Sequence, residues 1–179
     1  MKTAQEMYKY CIDNDFGQGQ TKKWGIRHFG LIENALQSDE VVHMAFIGLH
    51  NFVSISKHDS NFAYVVTNKR IIFAQHRMLG DVVKSVVLDN INDITMSRGV
   101  AFGVLCIDTI KEKFNVAVNK NQIQGLSDKL HEVVFDLKSV GQTIDNSSAD
   151  EILKYKQLLD SGIITEEEFK LKKKQLLGI

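Results

Sequence analysis

A chain of 179 residues can form one well-packed domain with appended segments, since most domains span about 100–150 residues. Its 22 Lys and Arg residues balance its 22 Asp and Glu residues, which disfavours a general electrostatic attraction to nucleic acid or anionic membranes. The two cysteines, Cys11 and Cys106, lack the spacing of a disulfide framework or a metal site. Without a signal peptide or a long apolar run, the expected location is cytoplasmic.

Residues 1–39 are predicted to form a helical N-terminal extension. A capping box at Thr3 starts the first helix, and apolar residues follow it at helical spacing. After a glycine-containing break, the spacing predicts a second helix over 22–36. Two glycines, Gly25 and Gly30, weaken this prediction, because each costs about 1 kcal/mol in a helix relative to Ala.

Residues 40–140 change to a pattern typical of β-strands. Short runs rich in Val, Ile and Phe recur at regular intervals, and Asn68-Lys69 forms a tight link between the second and third runs. The predicted strands are 41–49, 62–67, 70–75, 82–88, 91–97, 103–109 and 113–118. Such a series predicts an antiparallel meander that curls into a barrel or sandwich.

One amphipathic helix follows the strands. Its apolar positions recur every three or four residues, and Gly141 suits its end. These positions are Ile123, Leu126, Leu130, Val133, Val134 and Leu137. The predicted class is therefore α+β: a seven-stranded antiparallel barrel or sandwich closed by one helix, preceded by N-terminal helices and followed by a C-terminal helical hairpin.

The hairpin occupies residues 149–179, after a polar linker at 141–148. Gly162 suits a left-handed helix end, and Thr165 starts the last helix with a capping box. Because isolated helices of this length are marginal in water, the apolar face needs a partner: the main domain, another copy or a different protein. The predicted partner-binding residues are Ile152, Leu159, Ile163, Ile164, Phe169 and Leu176.

Two stretches resemble known families. Phe-Ala-Tyr-Val-Val-Thr-Asn-Lys-Arg-Ile-Ile-Phe at 62–73 resembles a hairpin of bacterial pleckstrin-homology (PH) domains of the YokE-like type. Gly-Ile-Ile-Thr-Glu-Glu-Glu-Phe at 162–169 resembles the core of the SHOCT (short C-terminal) domain. The resemblance implies a PH-like binding platform with an appended oligomerisation or interaction module, in Gram-positive bacteria or their phages. It names no partner.

No motif in the sequence predicts catalysis or metal binding. His50 and His58 flank the loop after the first strand, next to Asp59, and ordinary polar loop residues are the preferred interpretation over a metal or acid–base site. Cys106 lies within an apolar strand and is interpreted as a buried structural thiol. We therefore expect no enzyme activity, no cofactor, no metal and no small-molecule substrate.

A lipid surface is one alternative partner. Many eukaryotic PH domains hold inositol phosphates with several cations in the first inter-strand loop, whereas loop 48–61 offers only Lys57 with two histidines. Five apolar residues of this region could enter a bilayer interface, although packing in the core is the preferred interpretation. They are Phe46, Leu49, Phe52, Val53 and Ile55.

Nucleic acid is the other alternative partner. The candidate anion or nucleic-acid contacts are Lys69, Arg70, Lys84 and Arg98. A second small basic cluster, Lys22, Lys23 and Arg27, lies on the predicted second helix. Solvated surface charge is the preferred interpretation of both sets. The favoured function is thus protein interaction, as a homo-oligomer or with another protein.

Overall fold

The computed structural model of the protein describes the backbone of residues 1–178 and the side chains of that range except those of residues 140–150. Two compact units compose the chain, Met1–Phe135 and Asp136–Ile179. The elements, in chain order, are α1 (Ala4–Asp13), α2 (Lys22–Ala35), β1 (Val42–His50), β2 (Asn61–Thr67), β3 (Arg70–Gln75), β4 (Val82–Val87), a 3₁₀ turn (Leu88–Asn90), β5 (Ile91–Arg98), β6 (Phe102–Thr109), β7 (Lys113–Asn119), α3 (Ile123–Asp160) and α4 (Glu166–Leu177).

The strands form one antiparallel sheet in the order β4-β3-β2-β1-β7-β6-β5. The predicted seven-stranded antiparallel sheet is confirmed, but it is open rather than a closed barrel, because β4 and β5 are its two edges. Only the three residues Leu88–Asn90 join β4 to β5. Since three residues span at most about 10 Å, the sheet must curl until its edge strands approach each other at this turn.

β2 is buried on both of its faces. Its sequence Phe-Ala-Tyr-Val-Val is a continuous apolar run rather than an alternation, as expected for a strand covered on both sides. Phe62 and Tyr64 lie on the inner face, where their rings contact that of Phe73 on β3. Ala63 and Val65 lie on the opposite, outer face, which the N-terminal helices cover.

The predicted N-terminal helices are present and belong to the first unit. Thr3 accepts a hydrogen bond from the backbone N–H of Glu6, which completes the predicted capping box of α1. α2 spans Lys22–Ala35, with Thr21 as its N-cap. Buried side chains of these helices pack on the outer face of β1, β2 and β3; they include Met7, Cys11, Phe29 and Ile32 against Ala45, Ile47, Val65 and Ile72.

The helix predicted after the strands is α3, and it is longer than expected. Four of its apolar residues are buried: Ile123, Leu126, Leu130 and Val134. The helix end predicted at Gly141 is not observed, because the backbone stays helical through 141–148, the predicted linker. That segment contains no Pro, and a single Gly costs only about 1 kcal/mol, which is too little to end a helix.

Among the described residues, no helix combines the length and the apolar character that crossing a membrane requires.

Candidate interaction site

The turn between α3 and α4 is fixed by backbone hydrogen bonds. After Ser161, Gly162 adopts the predicted left-handed conformation with φ of 71°. The Gly162 N–H donates to the carbonyl of Leu159 at 2.9 Å, and the Ile163 N–H donates to the carbonyl of Leu158 at 2.9 Å. These two bonds form a Schellman motif, which satisfies carbonyls at the end of α3 and reverses the chain direction.

α4 starts with the predicted capping box. Thr165 Oγ1 accepts from the Glu168 N–H at 3.3 Å, and Glu168 Oε2 accepts from the Thr165 N–H at 2.8 Å. The backbone hydrogen bond from Thr165 lowers the pKa of Glu168. Gly178 is left-handed at the other end of α4, so both ends of this helix are capped. The turn and the caps of the hairpin are therefore formed by local residues.

The hairpin buries none of its described side chains. Of the predicted partner-binding residues, Ile163 is 69% exposed. The others are half-buried: Ile152, Leu159, Ile164, Phe169 and Leu176. Further large aliphatic side chains are exposed at Leu153, Leu171 and Leu177, with Leu171 at 73%. The hairpin thus has an inner stripe, shared by its two helices, and an outer set of uncovered apolar side chains.

Two members of the inner stripe were absent from the sequence-based set. Tyr155 and Leu158 are half-buried, and the Lys172 ammonium lies 5.7 Å from the Tyr155 ring centroid. Their positions repeat the i, i+3 spacing that selects Ile152 and Leu159. Helical periodicity therefore contained the signal that identifies both residues.

Charge on α4 is divided between its two ends. Glu166, Glu167 and Glu168 occupy the first turn, and a basic series extends along the remainder of the helix. The basic residues are Lys170, Lys172, Lys173 and Lys174. This order matches the helix dipole and gives the exposed surface an acidic and a basic half.

Lys69 and Arg70 lie at the β2–β3 turn, and both contact carboxylates. The Nε and Nη2 atoms of Arg70 each donate to a carboxylate oxygen of the buried Glu40 at 2.8 Å. The Arg70 guanidinium lowers the pKa of Glu40 to about 2. Lys69 Nζ lies 2.7 Å from an oxygen of Asp39. Both cations are therefore engaged by acidic groups of the same unit.

Lys84 and Arg98 lie on opposite edge strands of the sheet. Lys84 is exposed on β4, paired with Phe73 of β3. Arg98 ends β5, and its Nε donates to the Lys120 carbonyl at 3.1 Å. The structure thus brings Lys69 next to Arg70 but assigns Lys84 and Arg98 to different edges. A role of these residues in anion or nucleic-acid contact stays a prediction.

His50 is a core residue at the end of β1. Its ring packs against Phe62, Phe73 and Phe114, and its Nδ1 shares a hydrogen bond of 2.7 Å with the Tyr64 hydroxyl. Burial lowers the pKa of His50 to about 4, so the imidazole is neutral at neutral pH. His50 therefore belongs to a packed aromatic cluster and not to the loop that follows β1.

Two further polar candidates have local partners. His58 Nδ1 accepts from the Ser60 N–H, and Asp59 accepts from the Asn51 side chain. Within the described residues no group of three or more His, Cys, Asp or Glu side chains could hold a metal ion. Cys106 is half-buried rather than buried, because it occupies an outward position on β6 that other elements cover only partly.

The chain was compared with protein families and solved structures. A family model described as a bacterial PH domain matches residues 36–132, and a model described as a short C-terminal domain (SHOCT) matches residues 150–177. The Vps36 N-terminal PH domain is similar at 16% identity and a TM-score of 0.46, over 58% of this chain and 86% of that chain. The hSac2 domain from human phosphoinositide phosphatase Sac2 is similar at 13% identity and a TM-score of 0.45, over 68% and 86%. The search of curated proteins found no match.

The first family model covers more than half of the chain and includes all seven strands and the first part of α3. It does not distinguish the YokE-like type, which stays a prediction. Domains of these two kinds are protein- or lipid-interaction modules, and neither model describes a catalytic family. The chain belongs to the bacterial PH domain family and carries a SHOCT domain at residues 150–177.

Proposed function

We propose that this protein is a non-catalytic binding platform that self-associates through its SHOCT hairpin. The observation that carries the proposal is the hairpin itself, which has capped ends and a fixed turn but no buried side chain among those described. Exposed aliphatic residues such as Ile163 and Leu171 lose contact with water when a second surface covers them. The proposed organisation is 1–39 helical extension, 40–140 PH domain, 141–148 linker and 149–179 hairpin.

The charge order on α4 supports a second copy as the partner. When two α4 helices lie antiparallel, the acidic first turn of one faces the basic residues of the other. The same patch then serves both copies, which is the property of a two-fold symmetric interface. A parallel arrangement would place like charges together. The apolar stripe would supply the affinity, and the charges would set the orientation.

Light scattering on the full-length chain tests the proposal. We expect a concentration-dependent dimer for the native sequence and a monomer for the double variant Ile163→Glu, Leu171→Glu. The matched control is Val100→Glu, Ile110→Glu, which adds the same charge at residues of the first unit that are 92% and 67% exposed. A native chain that stays monomeric at all accessible concentrations, or a control that dissociates as completely as the hairpin variant, would contradict self-association.

A lipid surface is a second candidate, on one specific observation. Of the apolar residues predicted near the first loop, Phe46 is buried, but Val53 and Ile55 are 66% and 73% exposed. Sedimentation with phosphatidylglycerol-rich vesicles tests this possibility, with Val53→Ser, Ile55→Ser as the matched variant. Membrane binding predicts that the native chain pellets and the variant does not. A native chain that stays in the supernatant at low salt excludes this candidate.

A further inference from the structure

An open cleft lies between α2 and the ends of β2 and β3. Its volume is about 490 Å³, within the range of about 300–1,000 Å³ that is typical of small-molecule sites. The lining includes Lys23, Trp24, Arg27 and His28 from the α2 side, and Gln75 and His76 from the sheet side. None of these residues belongs to the hairpin, so the cleft is independent of the proposed self-association.

The α2 side combines an aromatic pair with a cationic pair. Trp24 and His28 stack with ring centroids 3.6 Å apart and planes 13° apart. Lys23 and Arg27 have the same i, i+4 spacing, one position earlier, so each pair shares one side of the helix. Both cations are exposed, and neither forms an ion pair with any residue that the structure describes. The charge at this side of the cleft is therefore available to a ligand.

His28 contributes a hydrogen-bond acceptor to the cleft. The residue is 95% buried, and its Nδ1–H donates to the Trp24 carbonyl at 2.8 Å, which leaves a lone pair on Nε2. No described group is bonded to Nε2. Because every buried side-chain nitrogen and oxygen among the described residues has a partner, Nε2 retains some accessible surface, and His28 is one of the residues that line the cleft. Burial also lowers the pKa of His28, which favours the neutral ring.

The sheet side of the cleft is held by its own hydrogen bonds. The Gln75 side-chain amide donates to the carbonyls of Asp59 and Asn61 at 2.9 and 3.0 Å. His76 Nδ1 lies 2.6 Å from the Asp81 carboxylate, so this acidic group already has a partner within the protein. Met78 is fully exposed at the rim and offers an adaptable apolar surface. This side is thus ordered before any ligand arrives.

We propose that the cleft binds a nucleoside monophosphate, with its phosphate at Lys23 and Arg27, its base against Trp24, and a ribose hydroxyl or base amine donating to His28. A phosphate fits an arginine and a lysine on one side of a helix, because guanidinium and ammonium groups bind its oxygens directly. Planar bases stack on aromatic side chains whatever their identity. A free anion would satisfy the cations alone, and a nucleoside would satisfy only the aromatic and acceptor groups.

Tryptophan fluorescence of the full-length protein tests the assignment directly, because Trp24 is the single tryptophan of the chain. The probes are AMP, GMP, CMP and UMP, compared with adenosine, ribose 5-phosphate and inorganic phosphate. We expect saturable quenching by at least one nucleotide, with roughly tenfold weaker binding of the matching nucleoside and of ribose 5-phosphate. Calorimetric titration confirms each affinity without interference from absorption by the bases.

Two variants locate the site. Lys23→Gln, Arg27→Gln should weaken nucleotide binding by roughly tenfold or more, and the matched control Lys111→Gln, Lys120→Gln removes the same charge from exposed positions beside β7 and should not. His28→Phe keeps an aromatic ring but removes the acceptor, and should also weaken binding. Thermal unfolding of each variant verifies that it is folded.

Three results would overturn the proposal. The first is the absence of saturable binding for every nucleotide. The second is equal binding of inorganic phosphate and of the nucleotides, which would indicate a simple anion site. The third is binding of a single-stranded oligonucleotide without binding of any mononucleotide, which would indicate a nucleic-acid surface in place of this cleft.

Discussion

Gly25 permits the close contact between α1 and α2. A Cβ at this position would lie 2.1 Å from Cδ2 of Tyr8, a distance that atoms do not tolerate. The Tyr8 hydroxyl donates to the Gln20 carbonyl at 2.9 Å, so the ring is held in place. The glycine that weakens the sequence-based prediction of α2 is thus required by packing between the two helices.

Replacing the two glycines of α2 by alanine should have opposite effects. Gly25→Ala should lower the free energy of unfolding by about 1–3 kcal/mol, because the methyl group overpacks against Tyr8. Gly30→Ala should raise it by up to about 1 kcal/mol, because no other side chain or element lies within 4 Å of its Cβ position and Ala favours the helix. Urea denaturation measures both changes. Changes of the same sign in the two variants would contradict this interpretation of Gly25.

His50 should make the protein less stable as the pH falls. The unfolded chain protonates this imidazole near its ordinary pKa of 6.5, whereas the folded state does so only near about 4. Below pH 6.5 the unfolded state therefore binds more protons, and stability falls by up to roughly 3 kcal/mol as the pH approaches about 4.

His50→Phe should remove this pH dependence, at the cost of a constant loss from the unpaired Tyr64 hydroxyl. The measurement is the free energy of unfolding at several pH values between 6.5 and 4.5, above the range in which Glu40 titrates from its ordinary pKa of 4.5 to about 2. The native chain should lose stability in this window, and the variant should lose less, keeping only the part due to other groups such as His28, whose pKa burial also lowers. Equal slopes for both proteins would exclude His50 as the source.

At the scale of elements, the ion pair of Arg70 joins three parts of the first unit. The guanidinium at the start of β3 donates to Glu40, just before β1, and its Nη2 also donates to the Ala35 carbonyl at the end of α2 at 3.0 Å. Glu40 also accepts from the Gln37 N–H at 2.9 Å and the Thr67 hydroxyl at 3.0 Å. The α2–β1 connection is therefore anchored to the β2–β3 hairpin.

Arg70→Met should destabilise the protein by about 3–5 kcal/mol, because it leaves a buried carboxylate without its cation. Lys69→Met is the matched control, since its ion pair with Asp39 is exposed and screened by solvent, so its loss should change stability much less. Chemical denaturation compares them. Adding Glu40→Gln to the Arg70 variant should recover part of the loss. Equal losses of stability for the two single variants would show that the buried ion pair stabilises the protein no more than the exposed one.

The strands are predictable because their apolar periodicity and turn residues are local. β3 occupies Arg70–Gln75 as predicted, and each of the other strands differs by only one residue at its ends. What covers each face is not local. The packing of the N-terminal helices on β2 depends on contacts between residues far apart in the sequence. The continuation of α3 through Gly141 was missed because a single Gly is a weak stop signal for a helix.

The candidate sites also differ in how far the local sequence predicts them. The hairpin residues are predictable from helical spacing and caps, which lie within about 30 consecutive residues. The cleft beside α2 is not predictable in this way, because His28, which stacks on Trp24, meets His76 only after the chain has folded. Likewise, sequence identifies Arg70 as a cation, but only the fold reveals that it is paired with Glu40.

At the scale of the whole molecule, the balance of positive and negative charge bears on association between copies. The sequence pI is about 7.0, so at neutral pH no net charge repels one copy from another. Association would then depend on local patterns, such as the acidic and basic halves of α4. Because exposed charges are screened by salt, this contribution to the orientation of two copies should weaken at high ionic strength.

Complementary charge reversal should therefore determine which copies associate. Glu166→Lys, Glu167→Lys makes α4 largely basic, with Glu168 as its one remaining acidic residue, and Lys173→Glu, Lys174→Glu makes it largely acidic. In an antiparallel dimer, each variant alone repels its own kind, whereas a mixture restores opposite charges across the interface.

Light scattering on the separate variants and on their mixture measures this effect. We expect monomers for each variant alone at low salt, a heterodimer in the mixture, and partial recovery of each homodimer as salt screens the repulsion. A mixture that stays monomeric while the native chain dimerises would contradict the antiparallel arrangement and leave the apolar stripe without an assigned geometry.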